Sequence, residues 1–553
     1  MGVSIIWYAF FNHMNLKNAI PLKKALYVII ITFVILIMIG GLFLSVYSIY
    51  AFGGGYRIEI DLNKAHQIIE GFSASAAWFF QEMGAFNGVD SELFRSKAIN
   101  YIYGDDGLKL NIFRYNIGAG SWDLYRNNIG DYQTHNDGKG RTKSNLTESF
   151  FIRERYTGDT KVFSDLNNYD ITRDQYAVKM FKLALDTGNI TRIVLFSNSP
   201  YYAFTKNGMC LSDNLGENNL KEEFFDAYSD YMILCSHKLY KEVIQGYGID
   251  SSRVQISPVN EPQWDWNLGG SDQEGCHYDP VYLAKFYNNF YNRLNYWNNI
   301  WNTNYVMDVF ESGSYMRESS TDIYDYLDEF KKYNFYQNIE TLSLHSYCTD
   351  EKKAPRKDFA KSIGAYNINK ISMSEYCDMI KGRDYSIKMA IRDSQIINRD
   401  LSMIDAVSWS WWLAVSNENF NSSLVYYDID DKSTKDISTD DTFKFSFPKR
   451  YYALKHYSYF ISEGDRRVET KNSDPLGIKP LDFSVYLKQD GSLIIVVTNC
   501  GNKMKVKLKG IDYKYLDTFV TTETVDWEYE QKTNEKEVNI PKNSIVTIHL
   551  YNS

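Results

Sequence analysis

No Cys-x-x-Cys pair occurs among the six cysteines, at 210, 235, 276, 348, 377 and 500, so zinc ribbons and thioredoxin-like redox motifs are excluded. No HExxH, phosphate-binding P-loop or GxSxG elbow is present either. Metalloprotease, nucleotide and esterase chemistry therefore lack their motifs. Basic charge is short: 60 Lys and Arg stand against 69 Asp and Glu, a net −9. The first 56 residues hold Lys17, Lys23 and Lys24 and no acid, so the rest is more acidic still. Such a body offers no footprint for a phosphate backbone, and nucleic acid is not an expected partner. After residue 56 there is neither a solenoid period nor a low-complexity tract.

What is present fits a large globular chain. It has 553 residues, 44% hydrophobic and 23% charged, enough for two to four domains or one barrel with a smaller companion. Aromatics reach 16%, including 45 Tyr and 11 Trp. Rings of this kind pack cores, and they also stack on flat ligands such as sugars.

From Ala25 to Tyr56 no residue is charged. This run exceeds the roughly 20 apolar residues that span a bilayer. The lysines before it predict a cytoplasmic N-terminal side. The reading is a cytoplasmic segment 1–24 and a transmembrane signal anchor 25–52, with the body held outside the cell membrane. The alternative is a long cleaved signal and a secreted body.

Beyond residue 56 a unit recurs: a short apolar strand ends in small or polar residues, and a helical stretch follows. Strands are expected at 67–74, 110–116, 192–198, 253–260, 304–310, 341–347, 370–375 and 406–411. Helices are expected at 174–185, 221–240, 280–297 and 448–461. Eight strands alternating with helices predict a (β/α)8 TIM barrel, an α/β fold, over 70–463. From about 464 to 553 the period becomes two, with Asp490-Gly491 as a hairpin turn. That tail predicts an antiparallel β-sandwich, and segment 57–69 alternates as though it supplied the sandwich's first strand.

Two glutamates close apolar strands: Glu261 the fourth and Glu375 the seventh. A charge there is costly to bury unless it is used or paired. Strand ends at the top of a barrel face the catalytic cleft, so the two carboxyls meet across it. One protonates a leaving oxygen while the other attacks an anomeric carbon, as in a glycosidase. The competing reading is two salt-bridged glutamates at the rim. Arg114, ending strand two, is placed to hold Glu375 by a charge-assisted hydrogen bond. His345 and Tyr347, two apart on strand six, share a face, as do Trp409 and Trp411 on strand eight.

The sequence resembles glycoside hydrolase family 30, in the clan of retaining (β/α)8 glycosidases. The likeness is carried by Glu70-Gly-Phe-Ser-Ala-Ser-Ala-Ala-Trp78, Phe113-Arg-Tyr-Asn-Ile-Gly118, Phe196-Ser-Asn-Ser-Pro200 with Lys206-Asn-Gly208, Ser257-Pro-Val-Asn-Glu-Pro262, Ser374-Glu-Tyr376, Ser408-Trp-Ser-Trp-Trp412 and 451–460. It implies Glu261 as general acid/base and Glu375 as nucleophile, the carboxyls about 5–5.5 Å apart. It implies Asn260 on the sugar 2-OH, Tyr347 on the nucleophile, and His345 and Asn198 in the sugar pocket. One of Trp409 and Trp411 then floors the first sugar, and Trp78, Trp122, Trp264 and Trp266 are candidates for further sugars. No metal or cofactor is implied. The partner is a β-linked oligo- or polysaccharide, with an endo-β-1,6-galactanase-like specificity. The alternatives are β-glucosylceramide, β-xylan or β-1,6-glucan, and, in another class, a non-catalytic surface glycan binder. Cys210 and Cys276 are a candidate disulfide, while Cys348 and Cys377 read as small buried apolar residues.

Overall fold

The computed structural model describes residues 29–38, 40–41, 56–87, 90–125, 147–269, 271, 273–315, 321–429, 443–472, 481–533 and 535–552. The segment 1–24 lies outside them. The expected membrane anchor over 25–52 is overturned. Among the described residues no helix is long and apolar enough to cross a membrane. Membrane partnership and single-pass location, which rested on that helix, fall with it.

Strand β1 (Tyr56–Ile68) is followed by eight strands that close a barrel. These are β2 (Gly71–Ser75), β3 (Ile112–Asn116), β4 (Arg192–Phe196), β5 (Val254–Ser257), β6 (Val306–Ser312), β7 (Thr341–His345), β8 (Lys370–Glu375) and β9 (Ser408–Ser416). Each pairs in parallel with the next, and β9 pairs with both β8 and β2. The eight expected strands are all present. The fifth is displaced, running 306–312 where 304–310 was expected, which draws Glu311 into it.

Helices separate the strands because their apolar residues recur at helical spacing. Gln175–Leu185 buries Ala177, Val178, Phe181, Ala184 and Leu185. Pro280–Trp301 starts on a proline whose fixed φ suits a first turn. Two further strands, β10 (Ser423–Ile429) and β11 (Phe443–Ser446), extend the sheet beside β9.

The C-terminal strands are β12 (Arg466–Asn472), β13 (Leu481–Leu487), β14 (Leu493–Asn499), β15 (Met504–Lys509), β16 (Tyr515–Thr521), β17 (Glu528–Thr533), β18 (Glu537–Ile540) and β19 (Ser544–Tyr551). With β1 they form a nine-stranded β-sandwich around Ile58, Ile60, Val485, Ile495, Val497, Leu508 and Ile548. β1 joins as expected, antiparallel to β12 but parallel to β15, so the sheet is not wholly antiparallel. The turn at Gly491 has φ +84, a conformation glycine adopts without strain.

Barrel and sandwich meet through helix Ile387–Met403. Gln395 donates to Asp482 at 2.8 Å, and Asn398 to Ser484 at 2.9 Å. The cysteines form no disulfide with one another, so the candidate Cys210–Cys276 pairing is absent, and Cys348 is exposed rather than buried.

Candidate active site

The C-terminal ends of the barrel strands open into a cleft of about 470 Å3. Glu261, Trp264, Trp266, Tyr347, Glu375, Tyr376 and Trp412 line it. Glu375 closes β8, and Glu261 follows β5 with φ +48, a left-handed conformation that is strained for a glutamate. The Glu261 N–H donates to the Glu311 carbonyl at 2.8 Å, which fixes that turn. Gly313 keeps the space beside it open. A Cβ there would lie 2.3 Å from Trp264 Nε1 and 2.8 Å from Glu261 Oε1.

The two carboxyls converge. One donor atom each from Glu261, His345 and Glu375 lies within 4.8 Å of the others. Arg114 Nη1 donates to Glu375 Oε2 at 2.5 Å, and its Nη2 to Asn260 Oδ1 at 3.3 Å. Tyr347 donates its hydroxyl to Glu375 Oε1 at 3.0 Å. The Arg114 guanidinium stacks 3.7 Å above the Phe196 ring, which orients the fork. The trio of Glu261, His345 and Glu375 also has the donor set to hold a cation, but both His345 nitrogens already face carboxylates.

Charge in this buried space is nearly balanced: Glu261, Glu311 and Glu375 face Arg114 and His345. Burial opposes charging His345, but Glu375, Glu261 and Glu311 outweigh it and push the imidazole up to about 10. Burial, joined by Glu261 and Glu311, raises Glu375 above the usual carboxylate range, although His345 and Arg114 pull it down. The ionised form expected of Glu375 therefore depends on those two cations.

Several placements differ from the sequence reading. His345 is fully buried and does not line the cleft. It sits behind the glutamates, 2.8 Å from Glu261 Oε1 and 2.9 Å from Glu311 Oε2. Trp409 and Trp411 do not floor the cleft either. Both are buried, their indole N–H groups donating to Asp400 at 3.0 Å and to the Ser422 carbonyl at 2.6 Å. Trp412 faces the cleft instead. Ala74 pairs with Trp411, but Ser75 pairs with Leu413, and this irregularity re-aims the residue between them. Trp78 is buried beside Trp412, edge to face at 5.2 Å. Trp264 and Trp266 line the cleft, whereas Trp122 is buried elsewhere. Asn198 is buried with both amide atoms unpaired.

Sequence reasoning missed Glu311. The rule that found Glu261 and Glu375, an acid closing an apolar strand, applies to it equally. The expected fifth strand stopped one residue short.

A family model described as O-Glycosyl hydrolase family 30 matches residues 55–426. An endo-beta-1,6-galactanase from Hypocrea rufa is 23% identical over 463 residues, 81% of this chain and 82% of that protein. A conserved exported protein from Bacteroides fragilis superposes with a TM-score of 0.73 at 22% identity, over 89% of this chain and 100% of that one. The catalytic domain of a GH30 xylanase C from Talaromyces cellulolyticus gives 0.61 at 16% identity, over 89% and 99%. At these identities the structural likenesses speak for the fold.

Proposed function

This chain belongs to O-glycosyl hydrolase family 30, a family of retaining glycosidases, and from that premise we propose that Glu375 is its nucleophile and Glu261 its general acid/base. Glu375 attacks the anomeric carbon as the bond to the leaving oxygen breaks, and Glu261 gives that oxygen its proton. Glu261 then takes a proton from water, which attacks the same carbon and frees Glu375. The observation that carries this is the convergence of the two carboxyls within 4.8 Å. An inverting enzyme keeps them about 6.5–9.5 Å apart to admit a water.

Arg114 and Tyr347 hold Glu375, and Asn260 is placed to meet the 2-OH of the sugar. Trp412, Trp264 and Trp266 supply faces for sugar rings. Asn198, a buried amide without a partner, is suited to a sugar hydroxyl, since such groups are nearly always paired.

The substrate is a β-linked glycan. One relative is named a β-1,6-galactanase and one structural neighbour a xylanase, so β-1,6-galactan is not singled out. The test is hydrolysis of β-1,6-galactan, glucuronoxylan, β-1,6-glucan and glucosylceramide, with the first-formed anomer read by NMR. The β anomer is expected from at least one of them, and the α anomer would refute retention. A chain as inactive as Glu375→Gln on all four would favour a glycan binder.

A further inference from the structure

Glu311 is the last residue but one of β6, is fully buried, and does not line the cleft. Its Oε2 accepts from His345 Nε2 at 2.9 Å and from the Ser374 hydroxyl. Its Oε1 faces Arg114 Nη2 at 3.6 Å and accepts from Ser257 at 3.4 Å. The far end of each cation meets a proposed reacting group: Arg114 Nη1 on Glu375, and His345 Nδ1 on Glu261. Glu311 thus stands behind both cations, and its carbonyl also fixes the turn at Glu261. It does so with φ +53, a conformation costly for a glutamate. Stability does not ask for this arrangement, since well-packed apolar residues often serve as well as buried ion pairs.

We infer that Glu311 is a positioning residue, which fixes the charge and orientation of Arg114 and His345 and, through them, the charge state of Glu375 and the orientation of Glu261. The inference rests on the reading of those two glutamates as the reacting pair.

The groups around this cluster are few. Glu261, Glu311 and Glu375 face His345, with Tyr347 two residues beyond its strand. Arg114, His345 and Asp308 face Glu311. Burial raises Asp308, the Glu311 charge adds to that, and the Ser343 hydroxyl donates to it at 2.6 Å. Burial works against the Glu311 charge, but Arg114 and His345 hold its carboxyl below the usual range. An anionic Glu311 keeps a proton on His345 Nε2 and the ring charged. An imidazolium beside Glu375 favours its ionised form.

In Glu311→Gln the ring loses one of its three carboxylate partners and holds its proton less firmly, with Glu261 and Glu375 still facing it. Glu375 then loses the repulsion of Glu311 and faces a less firmly charged His345, so the limbs of the kcat/KM–pH profile are expected to shift by about one unit. kcat is expected to fall about 100-fold with KM little changed. Glu311→Asp, which keeps the charge, is expected to restore the limbs. Limbs that stay in place in a folded Glu311→Gln protein would overturn the inference, because a structural role lowers the folded fraction without moving them. Ring nitrogen shifts of His345 in the full unmodified chain give a second readout. An imidazolium at pH 7 is expected, and a neutral ring overturns the inference. This measurement decides the matter if the variant does not fold, or if no glycan in the panel is cleaved.

Discussion

The barrel interior and the sandwich core obey the same period-two rule and are filled in opposite ways. Inside the barrel, Ser73, Ser343, Ser372, Ser408 and Ser410 surround Arg114, Asp308 and Glu311 about a cavity of only about 20 Å3. Inside the sandwich the inward positions are Ile, Val and Leu almost throughout. Apolar burial stabilises by about 25 cal/mol per Å2, whereas a buried hydrogen bond nets only about 0.5–1.5 kcal/mol. The barrel holds charge where a stable core holds methyl groups, and its charged centre is where chemistry is proposed. The sandwich carries no such centre and packs against the barrel's last helices.

The largest break between the two regions is expected from Glu375→Gln. Activity should fall by about 10⁶-fold, the order seen when a nucleophile is lost. Thermal stability should hold or rise, because the charge removed is one that burial disfavours. The reverse is expected of Ile495→Ala in the sandwich. Calorimetry should register a loss of about 2–5 kcal/mol, with kcat per folded molecule unchanged. A smaller effect separates neighbouring tryptophans on β9. Trp412→Ala should raise KM about tenfold, an order of 1.4 kcal/mol, whereas Trp411→Ala should act on stability first. If Trp411→Ala alters KM in a folded protein, the cleft has been assigned to the wrong ring.

The smallest effect concerns pH. His345 holds its proton up to about 10 against an ordinary value near 6.5. Its contribution to stability is fully present below about pH 6.5 and is lost as pH rises through 10. Asp308, also raised, acts in the same direction. Melting temperature should therefore decline between pH 7 and 10, and His345→Gln should flatten that decline.

Strand positions were legible because each barrel strand ends in small or polar residues, a local signal. Glu261 and Glu375 were legible for the same reason. Glu311 was not, because the boundary after Phe310 was misjudged and its partners lie on β3, β7 and β8. Trp412 was hidden by the pairing irregularity on β9, which no alternation rule contains. His345 was placed on the correct strand, but the depth at which it sits depends on Glu311 beneath it.

The position of β1 has a consequence for the order in which the molecule is made. Ile58 pairs with Asn472, and Tyr56 with Val506, so its neighbours leave the ribosome about 400 residues later. At about 5–20 residues per second the wait is roughly 20–80 s. Throughout it, Ile58 and Ile60 lack the strands that cover them in the finished fold. A nascent chain stopped after Gly464 is expected to aggregate through this strand, which light scattering of the truncated protein would register. The first strand among the described residues is thus among the last to be paired, and it waits on strands made about 400 residues later.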